Sequence, residues 1–305
     1  MSTTMRFSVW PSFQRPWDEV LELARMVEAD GWHGLWYADH YMPDTPDGAP
    51  SDGAGLECWS VLAGLAAAVP RLQLGSLVSP TTVHHPAVLA KRACTIDVMS
   101  GGRLVLGVGA GWQVNEHRAY GIDLPPPGVR VDRFAEALEI LRSLLRNDRT
   151  TFAGRHFRVT DAPCEPKGVG PLELMVGTGS PRMCRLTARF ADHWNSWGNH
   201  AEFTARRERL LAACVREGRD PATLRVSAQA LLFLQDDPDA APGVLARAPG
   251  DRSLAGTPEQ LVEQIAWYAE QGVDEFIVPD FTLGPTAAAR TEAYQRIRTE
   301  IVAAL

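Results

Sequence analysis

The 305-residue chain is 45% hydrophobic and 22% charged, with a formal net charge of −7 at pH 7, the balance of a globular protein without a broad nucleic-acid-binding face. No apolar run is long enough to span a membrane. Five scattered cysteines, none spaced Cys-x-x-Cys, argue against a disulfide framework or a structural zinc site and for a cytoplasmic setting.

The start, Met1–Arg6, has no basic segment followed by an apolar core, so no secretory signal is expected. Residues 5–10 read as an apolar strand, and Trp17–Ala29 as a helix with Leu21, Ala24 and Val27 on one stripe and Asp18-Glu19 in its first turn. A second strand, 34–39, leads into His40-Tyr41 and a loop rich in Pro, Gly and Asp that extends to about residue 55. A helix is expected over 57–69. The stretch from Leu72 to Glu116 then organises the rest. Strands at 72–78 and 104–108 flank a helix from Pro86 to Met99, whose predicted stripe is Val88, Leu89, Ala93 and Ile96 and whose stop is Gly101-Gly102. That is a βαβ crossover, so the two strands should be parallel neighbours.

After the link Pro125-Pro126-Pro127 a helix is predicted over 132–146, followed by a small hairpin at 152–159. Strand five (172–176) runs into Gly177-Thr178-Gly179-Ser180-Pro181 and a helix to about 191. Strand six is 193–197, with a helix over 202–218, and strand seven spans 224–234 before a polar loop to 256. Thr257-Pro258-Glu259-Gln260 is a capping box opening the next helix, strand eight is 275–278, and a final helix covers 286–302. Eight strands alternating with helices, and no shift of composition that marks a linker, predict one α/β domain over residues 1–305. The expected fold is a (β/α)8 TIM barrel with insertion loops; a doubly wound open sheet is the alternative.

In such barrels the active site lies at the carboxyl ends of the strands. Gly177-Thr178-Gly179-Ser180, between a strand and a helix start, is suited to aim backbone N–H groups and two hydroxyls at a phosphate, or is simply a tight turn. Gly107-Val-Gly-Ala-Gly fails the dinucleotide fingerprint, because its third glycine comes one residue early; close approach of backbone to a flat ring, or plain barrel packing, remain. Asp39-His40 is the best acid/base pair, since imidazole titrates near neutrality. His84, His85 and His117 have no ligand spacing on one helix face, so no metal is expected. Trp10 and Trp112 fall at strand ends, where they should stand near a ligand.

Taken together, residues 36–40 (Trp-Tyr-Ala-Asp-His), the 75–80 turn, residues 85–91, residues 100–112, Asn115-Glu116, Ala191-Asp192 and residues 256–260 resemble the bacterial luciferase-like superfamily of flavin- and deazaflavin-dependent oxidoreductases, over nearly the full length. The resemblance implies a barrel with the cofactor ring at the strand ends and a non-prolyl cis peptide after strand three, matching Ser76–Leu77 here. It implies cofactor contacts from Ser76, Leu77, Ser79, Gly109, Ala110, Gly111 and Asn115, and a phosphate turn at Gly177, Thr178, Gly179 and Ser180. In members using the deazaflavin F420, a pair matching Asp39 and His40 binds the ring edge and assists proton transfer; several relatives have a glutamate where this chain has Trp112. The expected function is therefore an F420-dependent oxidoreductase acting on a small apolar or aromatic molecule, with Trp10, Tyr41, Trp112 and Trp197 as pocket wall. The alternatives are a reduced-FMN-dependent monooxygenase, served by a separate reductase, and a non-catalytic binder of the cofactor. Members of the superfamily are often dimers, which implies a homodimer.

Overall fold

The structure is a computed structural model and describes residues 5–305. Eight parallel strands close a ring: β1 (Arg6–Trp10), β2 (Gly34–Tyr37), β3 (Gln73–Ser76), β4 (Leu104–Gly109), β5 (Glu173–Gly177), β6 (His193–Trp197), β7 (Arg225–Gln229) and β8 (Glu275–Pro279). Closure comes from β1 pairing with β8, Arg6 opposite Glu275 through Trp10 opposite Pro279, and from β3 pairing with β4, Leu74 opposite Leu104. The fold is thus the expected (β/α)8 barrel. Strands buried on both faces read as continuous apolar runs, as β4 does with Leu-Val-Leu-Gly-Val-Gly.

The helices cover the ring. They are α1 (Trp17–Ala29), α2 (Cys58–Ala68), α3 (Pro86–Ser100), α4 (Val114–Ala119), α5 (Pro127–Arg146), α6 (Pro181–Phe190), α7 (His200–Glu217), α8 (Ala241–Leu245), α9 (Pro258–Glu270) and α10 (Ala287–Arg296). α3 buries Leu89, Ala93 and Ile96 as predicted, but Val88 points to solvent, 57% exposed. The predicted capping box forms, Thr257 Oγ1 accepting from Gln260 N and Gln260 Oε1 from Thr257 N. α5 begins five residues earlier than predicted. Pro127 sits at its first position, where no N–H is needed, so the prolines start the helix instead of separating it from the preceding loop. The predicted seventh strand is two: β7 stays in the barrel, while Leu231–Leu234 pairs with Ser253–Gly256 in a separate two-stranded sheet.

Polar groups fill the amino-terminal end of the barrel. Glu275, fully buried, accepts from Ser8 Oγ at 2.5 Å and Trp36 Nε1 at 2.7 Å, and pairs with Arg225, which also donates to Glu173 at 3.0 Å. Burial works to raise the pKa of Glu173, but His193 and Arg225 outweigh it and hold the carboxyl down at about 2. This end is closed by charge pairing; the cavity opens at the other.

Candidate active site

A cavity of about 650 Å³ lies at the carboxyl ends of the strands. On the floor, β3 breaks after Ser76 and a bulge carries Leu77 and Val78 into the barrel mouth, with a cis bond between Leu77 and Val78. A non-prolyl cis bond was expected here, but it falls one residue later than the predicted Ser76–Leu77. The neighbouring glycines make room for it. A Cβ on Gly107 would overlap the Ser76 carbonyl oxygen, and one on Gly109 or Gly177 would come within 2.8 or 3.0 Å of Val78. Their absent side chains are used chiefly by the chain's own bulge, so packing explains Gly107 better than approach to a ring. Gly111, at φ +83°, has Thr82 where its Cβ would stand.

Of the sequence-predicted residues, His40, Leu77, Gly109, Ala110, Gly111, Gly177, Thr178, Trp10, Trp112 and Trp197 line this cavity. The rest do not line it. Ser76 Oγ donates to Gly107 O at 2.8 Å, and Ser79, fully buried, donates to Asp39 at 2.6 Å. Tyr41 packs on Tyr120 with ring centroids 5.1 Å apart, away from the mouth. Asn115 donates to Pro43 O. Gly179 lies against the Arg206 side chain, and Ser180 is the exposed N-cap of α6 without a capping bond of its own.

Asp39 and His40 do not form a pair with each other. Their side chains have separate partners. Asp39, 2% exposed, turns into the protein, where its Oδ2 accepts from Trp59 Nε1 at 3.0 Å and Ser79 Oγ at 2.6 Å and lies 2.8 Å from His84 Nε2. Burial pushes its pKa up, yet the bonds to His84, Ser79 and Trp59 outweigh burial and leave the carboxyl below its ordinary value. His40 turns the other way, and its Nδ1 lies 3.0 Å from Glu116 Oε1. Glu116 stood in the sequence as part of the Asn115-Glu116 motif, but its role as the partner of His40 was missed. His84 and His117 are likewise occupied, His117 by Gln113 O and Thr82 Oγ1.

Around His40 the wall is aromatic. Trp112 meets its ring edge-on at 5.5 Å and Phe13 lies at 5.9 Å, while Trp10 packs between Trp197 and Phe281 at 5.3 and 5.1 Å. Opposite stand two carboxamides, also missed: Asn195 Nδ2 donates to Gln229 Oε1 at 2.7 Å and Gln229 Nε2 returns a bond to Asn195 Oδ1 at 3.1 Å. Polar residues near the carboxyl ends of strands six and seven were the signal for them. At the rim near Gly177-Thr178 are Arg206 and Arg252. The turn there is less open than expected, since Thr178 N is used on Asn195 O and Ser180 N approaches Thr178 Oγ1 at 3.4 Å. An anion at this rim would rest on the guanidinium groups, the Thr178 hydroxyl and the remaining N–H groups at the start of α6.

The profile of the luciferase-like monooxygenase family matches residues 1–249. The chain is 32% identical over 223 residues to pyrimidine monooxygenase RutA of Stutzerimonas stutzeri, covering 71% of this chain and 59% of that protein. It is 33% identical over 175 residues to the F420-dependent glucose-6-phosphate dehydrogenase of Nakamurella multipartita, covering 57% of this chain and 50% of the relative. The chain therefore spans between half and three fifths of the length of these relatives. Among solved structures, an F420-dependent secondary alcohol dehydrogenase superposes with a TM-score of 0.83 over 98% of this chain and 99% of its own, at 18% identity. The monooxygenase RslO1 from Streptomyces bottropensis gives 0.80 at 18% identity, over 98% of this chain and 99% of that one. At these identities the likeness to the solved structures is one of fold.

Proposed function

The chain belongs to the luciferase-like monooxygenase family, and on that premise we propose that it is an oxidoreductase whose cavity holds F420 next to His40 and a small, largely apolar substrate. The observation that carries the reading is His40 itself. Its Nδ1 is taken by Glu116, and its Nε2, without a protein partner among the described residues, is open to an aromatic-walled cavity.

The residues fit a flat heterocycle with a phosphate-bearing tail. Leu77 and Val78 supply an apolar floor, the carboxamides of Asn195 and Gln229 match ring carbonyl and N–H groups, and Arg206, Arg252 and Thr178 suit a phosphate. Bound there, F420 supplies the hydride chemistry at its C5. The protein's share is orientation and proton handling. His40 Nε2 takes the proton of a substrate hydroxyl in one direction and returns it in the other. Trp10, Trp112, Trp197 and Phe281 exclude water and favour an apolar or aromatic substrate.

The test is turnover of reduced and oxidised F420 by the purified protein with a panel of small ketones, aldehydes, alcohols and enones. Substrate-dependent turnover lost in His40→Ala supports the reading; absence of turnover in both directions overturns it. The identity with RutA favours a second reading, a monooxygenase that uses reduced FMN from a separate reductase. Substrate-dependent oxygen uptake with reduced FMN would select it. The five free, buried cysteines accord with a reducing, cytoplasmic setting, and light scattering tests whether the protein is a homodimer.

A further inference from the structure

The segment after β2 has neither helix nor strand from His40 to Gly48, yet its first four residues are each held by one short element. Glu116 Oε1 lies 3.0 Å from His40 Nδ1, and Glu116 Oε2 accepts from Tyr41 N at 2.9 Å. Gln113 Nε2 donates to Met42 O at 2.8 Å, and Asn115 Nδ2 donates to Pro43 O at 2.8 Å. The same Gln113 amide donates to Asn115 Oδ1 at 2.8 Å, bracing one side chain with the other. Farther out, Arg118 reaches Gly48 O at 3.2 Å. Gln113, Asn115 and Glu116 are all 2% exposed or less. Polar groups this deeply buried are held by their partners, and here every partner but one another lies in a single loop.

We propose that Gln113, Asn115 and Glu116 form a clasp on this loop, and that Glu116 is the positioning residue that sets the tautomer of His40. The role in turnover rests on the reading above; the geometry does not. A carboxylate only accepts, so Tyr41 N–H and the imidazole must both donate to it. His40 then carries its proton on Nδ1 and presents a lone pair at Nε2 to the cavity, the form a base needs. Trp112 and Phe13, at 5.5 and 5.9 Å, keep the ring in that plane. Asn115, which resemblance assigns to the cofactor, acts through the loop instead.

Glu116→Gln separates this from a purely structural role. Tyr41 N–H can only donate, so it keeps the amide oxygen, and the amide nitrogen is left facing Nδ1. There it donates, and the imidazole proton moves to Nε2 while the loop stays held. Long-range 15N–1H spectra of histidine-labelled protein without cofactor, at mildly alkaline pH, read the tautomer directly, with His40→Ala giving the assignment. The expected result is Nδ1–H in the wild type and Nε2–H in Glu116→Gln. An Nε2–H His40 in the wild type, or a tautomer unmoved by Glu116→Gln, overturns the proposal; should the variant not fold, the wild-type spectrum alone decides. In turnover, Glu116→Gln should lose kcat by about 10²-fold or more while F420 binding holds. Inversion of the tautomer in a protein with no turnover at all upholds the clasp and removes the oxidoreductase reading.

Discussion

His40 is defined by what its two nitrogens meet, one a buried carboxylate and the other the cavity. Replacing it with Ala should lower kcat by about 10²- to 10⁴-fold, the usual worth of a placed acid/base, with cofactor affinity little changed. Parallel turnover and titration measurements check this, and a comparable loss of binding would make His40 a cofactor contact instead. Gly107 tests the floor. Its added Cβ has the Ser76 carbonyl in the way, so Gly107→Ala should cost about 1–3 kcal/mol of stability, seen in chemical denaturation without any ligand. At this scale the sequence was informative about which residues gather at the strand ends and poor about which way they face. Asp39 and His40 adjoin in the chain, but one side chain turns to His84 and the other to Glu116, at the cavity wall. No spacing rule pairs residue 40 with residue 116; only the closed barrel does.

Helices announced themselves when they were long and amphipathic or opened on a capping box, as α1 and α9 do. The six-residue α4 did not, because it has too few turns for a periodic signal and its polar residues face inward to a loop. The split of the seventh strand was hidden for another reason: no glycine or proline separates residues 225–229, which stay in the barrel, from the apolar run 230–234 that leaves it. Helix α7 supplies the rim cation that periodicity could not flag. Arg206 leans over Gly179 and is bonded to Glu202 at 2.6 Å. If it holds the cofactor's phosphate, Arg206→Ala should weaken binding of F420 and FMN roughly tenfold, with a shallower salt dependence, and leave riboflavin, which lacks the phosphate, unaffected. Equal losses for FMN and riboflavin would remove Arg206 from that role.

Across the whole molecule, charge buried at the amino-terminal end of the barrel ties folding to pH. Glu173 is held at about 2 in the folded protein, against an ordinary value of 4.5. A lowered carboxyl pKa stabilises the fold fully above the unfolded value and loses that contribution as pH falls through the folded one. Stability should therefore decline between about pH 4.5 and pH 2, and Glu173→Gln should flatten that decline while costing up to about 3 kcal/mol at neutral pH. Denaturant titrations across that range provide the check; an unchanged acid limb in Glu173→Gln would contradict it. The opposite end of the same barrel carries the functional claim, and one measurement addresses it most directly: fluorescence titration of the purified protein with F420 and, in parallel, with FMN. Saturable binding of F420, tighter than that of FMN, is the predicted result. Binding of FMN in preference would move the protein to the monooxygenase reading, and binding of neither would contradict the account of the cavity as a cofactor site.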